Sequence, residues 1–156
     1  PRHGLLARIL FRLCYSSAHR VVGISQAVVD HLVALNEVPR SKCTVIYNPV
    51  AIPQIPALLP GGTAVFVTVS RLVAVKNLPL LINAFVQVRK TRQARLIIVG
   101  EGPDRSALEH IIESLEPVIR QDIQLTGFEQ QPDKWLRQAN CFVLLSEAEG
   151  LSNALL

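Results

Sequence analysis

The sequence predicts an α/β fold in which a parallel sheet carries helices on both faces. Short apolar runs recur after position 63, segments with a helical spacing of apolar residues separate them, and polar loops follow each run. Strands of a parallel sheet are buried on both faces and therefore read as nearly continuous apolar runs. The composition, 49% hydrophobic and 18% charged, is typical of a folded globular protein and excludes a disordered chain.

The first part of the chain predicts an amphipathic helix followed by one α/β unit. A helix is expected over 5–19, a strand over 20–24, a helix that Ser25 caps and that runs to about Leu35, and a strand over 43–47. Prolines and glycines between 48 and 62 then interrupt regular structure. We interpret 48–62 as an interdomain linker, with 1–47 as the end of one domain and 63–156 as part of the next.

The second part predicts four strands that alternate with helices. The strands are expected over 64–69, 95–99, 123–126 and 141–145, and the helices over 77–90, 104–115 and 132–138. Nearly continuous apolar strands that alternate with helices indicate a parallel sheet covered on both faces. The expected sheet is therefore parallel, and its loops lie at one edge.

Several classes of protein are disfavoured. No apolar run approaches the roughly 20 residues that span a bilayer, and the N-terminus lacks the layout of a signal peptide. The cysteines are three in number and lie mostly in apolar runs, which predicts buried, reduced thiols in a cytoplasmic protein: Cys14, Cys43 and Cys141. Neither a His-Glu-x-x-His motif nor a metal-like cysteine spacing is present, so we expect no metal site.

The basic excess is confined to the N-terminal segment. Residues 1–42 carry six basic and two acidic side chains, whereas 43–156 carry ten of each sign. Arg8 and Arg12 lie one helical turn apart, on a different face from the apolar residues of the first helix. Such a helix suits an anionic membrane surface, and the alternative is a solvated face on an ordinary packed helix.

Two cations follow the first strand of the second part. Arg71 stands where the strand ends, and Lys76 stands just before the next helix. Arginine binds phosphate as a bidentate fork and lysine as a compact point charge, so the pair can converge on a diphosphate. The alternative is that both only solubilise a loop.

The glycines after the next two strands are expected to serve different roles. Gly100-Glu-Gly102 resembles the start of a dinucleotide fingerprint, but Arg105 stands where the third glycine belongs, and a P-loop is absent. We therefore expect Gly100 and Gly102 to form a tight, closely packed turn. Gly127 and Phe128 at the sheet edge suit either backbone contacts to a base or closure of the core.

The last apolar run breaks into an acidic loop before a helix start. Glu149 lies between the end of a predicted strand and the start of a predicted helix. At such a helix N-terminus, unpaired N–H groups bind phosphates and sugars. Gly150, Leu151 and Ser152 would supply those N–H groups. Glu147 is the rival acid, closer to the strand, and the helix dipole alone also favours a carboxylate here. Because the helix has no stop signal by Leu156 and the chain lacks Met, we expect a fragment of a longer protein.

These motifs together resemble the retaining glycosyltransferases of family 4, which have two Rossmann-like domains facing a cleft, the GT-B architecture. The resemblance rests on four stretches in the family's order: Val22-Gly-Ile-Ser25, Val45-Ile-Tyr-Asn-Pro-Val50, Val69-Ser-Arg-Leu72 with Lys76, and Ser146-Glu-Ala-Glu-Gly-Leu-Ser-Asn-Ala-Leu-Leu156. It implies that 1–47 ends an acceptor domain and that 63–156 belongs to a nucleotide-sugar-binding domain.

The resemblance also implies the role of each site residue. Arg71 and Lys76 correspond to the pair that neutralises the donor diphosphate, and Gly127 and Phe128 are similar in position to residues near the base. Glu149 corresponds to the first acid of a Glu-x7-Glu motif that contacts the donor sugar, with residues 150–152 nearby. The family's glycine after the lysine is Asn77 here, and its frequent proline is Ser152. The second acid would follow Leu156 directly.

The expected function is transfer of a sugar from a nucleotide-diphosphate-sugar to an acceptor with retention, by a hexosyltransferase whose fragment is inactive alone. Two alternatives stay open: a catalytically inactive nucleotide-binding module, and a sugar-nucleotide epimerase of the same architecture. The resemblance implies no metal and no cofactor, because the cations and the helix N-terminus neutralise the developing charge. The expected partners are the donor and an anionic membrane surface on the cytoplasmic side, not nucleic acid.

Overall fold

The computed structural model describes residues 5–49, 62–147 and 149. They fall into two compact units, one formed by 5–49 with Glu149 and the other by 62–147. Most of the predicted linker, 50–61, lies outside the described residues. The division into an acceptor domain, a linker and a nucleotide-sugar-binding domain stays a prediction.

The first unit contains two helices and a two-stranded parallel sheet, in the order α1 (Leu5–Ser17), β1 (Val21–Gly23), α2 (Gln26–Ala34) and β2 (Cys43–Val45). As the sequence predicts, Ser25 caps α2, since its hydroxyl accepts a hydrogen bond from the Val28 N–H at 3.2 Å. Lys42 closes the end of α1 by donating to the carbonyls of Ser16 and Ala18 at 2.7 and 3.0 Å.

The second unit is built on a four-stranded sheet. Its elements alternate along the chain as β3 (Ala64–Val69), α3 (Leu78–Thr91), β4 (Ala94–Val99), α4 (Arg105–Glu113), α5 (Pro117–Arg120), β5 (Ile123–Gly127), α6 (Asp133–Leu136) and β6 (Cys141–Phe142). All neighbouring strands pair in parallel, and their spatial order is β5-β4-β3-β6. The strand order runs one way from β3 to β5 and then reverses, since β6 lies on the other side of β3.

The sheet of this unit is covered on both faces, which confirms the predicted fold class. Leu96 and Ile98 of β4 pack on one side with the apolar residues of α3 and α4. Ile97 and Val99 of the same strand pack on the other side with Trp135 of α6. Alternate residues of one strand therefore enter two separate cores, and all four strand residues are at most 1% exposed.

Several local predictions differ from the structure. The cysteines are not buried: Cys14 and Cys141 are exposed and Cys43 is half-buried, because apolar runs do not reveal which face of an element carries a thiol. Helix α4 ends at Glu113, and α5 begins separately at Pro117, since proline is favoured in the first turn of a helix. Strand β6 is shorter than predicted. No helix within the described ranges combines the length and the apolar character that a bilayer span needs.

Candidate functional site

The reversal of strand order places a switch point at β3. In open parallel sheets, ligands bind outside the carboxyl ends of the strands at such a point. Ser70 and Arg71 are the first residues after β3, so the sequence-predicted Arg71 stands beside the switch point. The loops that follow β3, β4 and β5 form the surroundings, and we call residues 70–77 the β3 loop and residues 100–104 the β4 loop.

The β3 loop presents its cations on a short, bent backbone. Ala74–Lys76 form one 3₁₀ turn, and Asn77 ends it in the left-handed conformation with φ 52° and ψ 39° before α3 begins. Asparagine adopts this conformation more readily than most residues, which explains how it replaces the family's glycine. Lys76 is half-buried and Arg71 is exposed. In the described part of the chain, the Arg71 guanidinium has no carboxylate partner.

The β4 loop is hydrogen-bonded to the β3 loop and packs closely against it. The Leu72 N–H donates to the Glu101 carbonyl at 2.9 Å, and the Asp104 N–H donates to the Leu72 carbonyl at 3.1 Å. A Cβ added to Gly100 would lie 1.9 Å from the Ser70 carbonyl oxygen, and one added to Gly102 would lie 2.3 Å from the carbonyl oxygen of Leu72. The two glycines therefore pack closely against the neighbouring β3 loop, whereas the sequence predicted packing against a helix.

The end of β5 completes this edge of the sheet. Gly127, with φ 86°, accepts a hydrogen bond from the Gly100 N–H at 2.9 Å. A Cβ on Gly127 would lie 3.1 Å from a Glu101 carboxylate oxygen, so the position favours glycine for both conformation and space. Phe128 projects with 75% of its surface exposed. Core closure, one of the two roles predicted for Phe128, is therefore wrong.

These loops border a cleft with a volume of about 350 Å³. Arg71 and Phe128 line it together, whereas Lys76 and Gly127 are not among its lining residues. The residues that sequence reasoning missed are polar or acidic positions one or two residues after the strands: Ser70, Glu101 and Glu129. The signal for Ser70 was its position next to Arg71, the first cation after β3.

The acidic side chains of the cleft already have cationic partners. Glu101 accepts from Arg105 at 2.5 Å, and Glu129 accepts from Lys134 at 2.7 Å. The hydrogen bond from Lys134 holds the pKa of the Glu129 carboxyl below its usual range, so this carboxylate is ionised at neutral pH. Because both acids are compensated locally, the guanidinium of Arg71 is left to attract an anion.

The acidic loop after β6 is described only in part. The Glu147 N–H donates to the Val75 carbonyl of the β3 loop at 2.9 Å, and the Glu147 side chain is exposed. Glu149 is also exposed. Gly150, Leu151 and Ser152 lie outside the described residues. The predicted meeting of Glu149 with Arg71 and Lys76 stays a prediction, since Glu149 belongs to the other compact unit.

Comparison with known proteins identifies the family of this chain. The chain is 27% identical over 158 residues to an N-acetylgalactosamine-N,N'-diacetylbacillosaminyl-diphospho-undecaprenol 4-alpha-N-acetylgalactosaminyltransferase of Campylobacter jejuni. The aligned region covers 99% of this chain and 42% of that protein. The structure resembles the lipopolysaccharide outer core galactosyltransferase WaaB in its apo form, with a TM-score of 0.71, 25% identity, and coverage of 91% of this chain and 41% of that one.

A second solved structure shows the same fold at lower identity. Anabaena HepE in complex with UDP-glucose matches with a TM-score of 0.72 and 19% identity, covering 92% of this chain and 42% of that chain. The chain thus spans less than half the length of these relatives. A family model described as "Glycosyl transferases group 1" matches residues 54–156, more than half of the chain. The predicted family and its Rossmann-like GT-B fold are confirmed: the chain belongs to the group 1 family of glycosyltransferases.

Proposed function

We propose that this chain is part of a retaining hexosyltransferase that transfers a sugar from a nucleotide-diphosphate-sugar to an acceptor. The observation that carries the proposal is the cleft at the carboxyl ends of β3, β4 and β5, with the exposed Arg71 guanidinium on its wall. UDP-glucose in the complex of the structural relative supports a donor of this chemical class. The name of the Campylobacter relative supports a lipid-linked acceptor and a role in glycolipid or polysaccharide synthesis.

In this proposal the β3 loop neutralises the leaving diphosphate. Arg71 would hold phosphate oxygens as a fork, and Lys76, at the end of the 3₁₀ turn, would add a compact charge. Negative charge grows on the diphosphate as the bond to the sugar breaks, so fixed cations lower the barrier by stabilising the transition state. Glu149, with residues 150–152, would contact the donor sugar, and Phe128 and Gly127 would lie near the base.

The same chemistry leads us to propose that no metal ion takes part. A divalent ion in such reactions neutralises the diphosphate, and Arg71 and Lys76 supply that charge here. Nucleoside diphosphate binding should therefore be equal in Mg²⁺ and in EDTA. A loss of binding in EDTA would show that the cations need a metal beside them.

The test of the site is calorimetric titration of the chain with UDP. Lys76→Ala should weaken binding by about 1.5–3 kcal/mol, the range for hydrogen bonds to charged groups, without lowering the unfolding temperature. Lys90→Ala is the matched control, because Lys90 is exposed in the last turn of α3 and makes the same change of charge elsewhere. Equal affinities for the two variants would remove Lys76 from the site. Binding of UDP without turnover of UDP-sugars by the full enzyme would favour an inactive binding module.

We also propose that α1 rests on an anionic membrane surface on the cytoplasmic side. Its apolar residues Leu10 and Leu13 are 60% and 62% exposed, and the basic Arg12 lies between them in sequence. Buried apolar area together with charge attraction holds such helices at an interface. A lipid-linked acceptor, as in the name of the Campylobacter relative, would be presented at the same surface.

Vesicle sedimentation tests the membrane proposal. The chain should sediment with anionic vesicles at low salt, less at high salt, and not with neutral vesicles. Leu10→Ser should reduce sedimentation, whereas Leu80→Ser should not, since Leu80 is similarly exposed, at 51%, but lies on α3. If the chain does not sediment with anionic vesicles, or sediments equally with neutral ones, α1 is an ordinary packed helix with a solvated basic face.

A further inference from the structure

Ser70 carries a buried hydroxyl that lacks a hydrogen-bond partner. Its Oγ is shielded from solvent, and none of the described residues donates to it or accepts from it. A buried hydroxyl without a partner destabilises the folded state, so native proteins rarely retain one without a reason. Ser70 is also the first residue after β3 and lines the cleft next to Arg71.

The backbone of Ser70 is fixed on both sides. Its N–H donates to the Val99 carbonyl at 3.0 Å, and its own carbonyl oxygen lies where a Cβ on Gly100 would be only 1.9 Å away. These two contacts restrict movement of the backbone at Ser70. Rotation about the Cα–Cβ bond remains available to the hydroxyl, since serine has three staggered rotamers.

We infer that Ser70 is a further donor-binding residue, whose hydroxyl turns into the cleft and donates a hydrogen bond to an oxygen of the donor diphosphate. This inference rests on the proposed function, because Arg71 beside it brings the diphosphate to this wall of the cleft. The hydroxyl gains a charged acceptor that the free protein lacks, and no covalent bond changes. Ser70 and Arg71 then bind one anion from adjacent positions, one through a neutral donor and one through a cation.

Ser70→Ala separates this role from a structural one. Removing an unpartnered hydroxyl should leave the unfolding temperature of the free chain unchanged or slightly raised. The dissociation constant for UDP should nevertheless rise by about tenfold, and the stabilisation of the chain by saturating UDP should fall. The matched control is Ser114→Ala, which removes an exposed hydroxyl at the end of α4, far along the chain from the cleft loops. That variant should bind UDP as the unaltered chain does.

Three results would overturn the inference. Equal UDP affinity for Ser70→Ala and the unaltered chain would show that the hydroxyl does not contact the diphosphate, while the proposed function would stand. Weaker binding together with a lower unfolding temperature would assign Ser70 to the structure of the loop instead. Absence of UDP binding by the unaltered chain would contradict the proposed function itself, and the role of Ser70 with it.

Discussion

The β3 loop and the β4 loop lie side by side at one edge of the sheet, yet they are built for different tasks. The two glycines of the β4 loop make close backbone contacts, and the Glu101 side chain of this loop pairs with Arg105. The β3 loop rests on those contacts and exposes Arg71, whose charge is not compensated by a carboxylate in the described residues. The difference teaches that the glycine-containing loop, which resembles a phosphate-binding fingerprint, makes the close backbone contacts, while its neighbour carries the exposed, uncompensated charge to which we assign binding in our proposal.

The largest expected effect is on the close contact between the two loops. Gly100→Ala adds a methyl group 1.9 Å from the Ser70 carbonyl oxygen at a φ of +141°. We expect the free energy of unfolding to fall by about 3 kcal/mol or more, from strain and overpacking together. Denaturant unfolding measures it.

Gly62→Ala is the control for this effect. Gly62 also has a positive φ, +100°, but no atom of the residues that the structure describes lies within 4 Å of the added Cβ. Its cost should be limited to the conformational strain, about 1 kcal/mol. A similar loss for both variants would mean that the contact between the loops contributes little.

A smaller effect is expected at the end of the β3 loop. Asn77 holds the left-handed conformation between Lys76 and α3, and a β-branched residue is disfavoured there by about 1–2 kcal/mol. Asn77→Val should lower the free energy of unfolding by that amount, and it should weaken UDP binding because Lys76 is displaced. Asn77→Gly should do neither. If Asn77→Val and Asn77→Gly bind UDP with equal affinity, the left-handed conformation of residue 77 does not position Lys76.

The smallest effect on stability is expected at Arg105. Its two ion pairs, to Glu101 at 2.5 Å and to Glu109 at 2.8 Å, are partly exposed to solvent. Exposed pairs of this kind contribute about 0.5 kcal/mol each or less, so Arg105→Ala should shift the denaturation midpoint only slightly. A loss as large as that of Gly100→Ala would show that the β4 loop depends on its charges and not on its backbone packing.

The sequence predicted the elements better than the contacts between them. Strand β3 has the predicted bounds, and β4 differs by one residue, because buried parallel strands are nearly continuous apolar runs. The family of the chain was also predicted, since four short motifs stand in the right order. The break between α4 and α5 was missed, although Pro117 marked it.

Contacts between residues that are far apart along the chain could not be predicted from the sequence. Nothing near Ser70 in the chain indicates that its hydroxyl is buried without a partner, since that depends on the position of β4 and its loop. The reversal of strand order at β3 depends on where β6 pairs, 72 positions after the end of β3 in the case of Cys141. For the same reason, apolar context gave the wrong burial for Cys141.

The most direct test of the difference between the loops is the dissociation constant for UDP in two matched variants. Arg71→Ala and Arg105→Ala each remove one guanidinium, from the β3 loop and from the start of α4 after the β4 loop. The account predicts at least a tenfold loss of affinity for Arg71→Ala, about 1.4 kcal/mol, and a smaller loss for Arg105→Ala, which acts only by leaving the Glu101 carboxylate uncompensated in the cleft. Equal losses, or a larger loss for Arg105→Ala, would contradict the assignment of binding to the β3 loop and support to its neighbour.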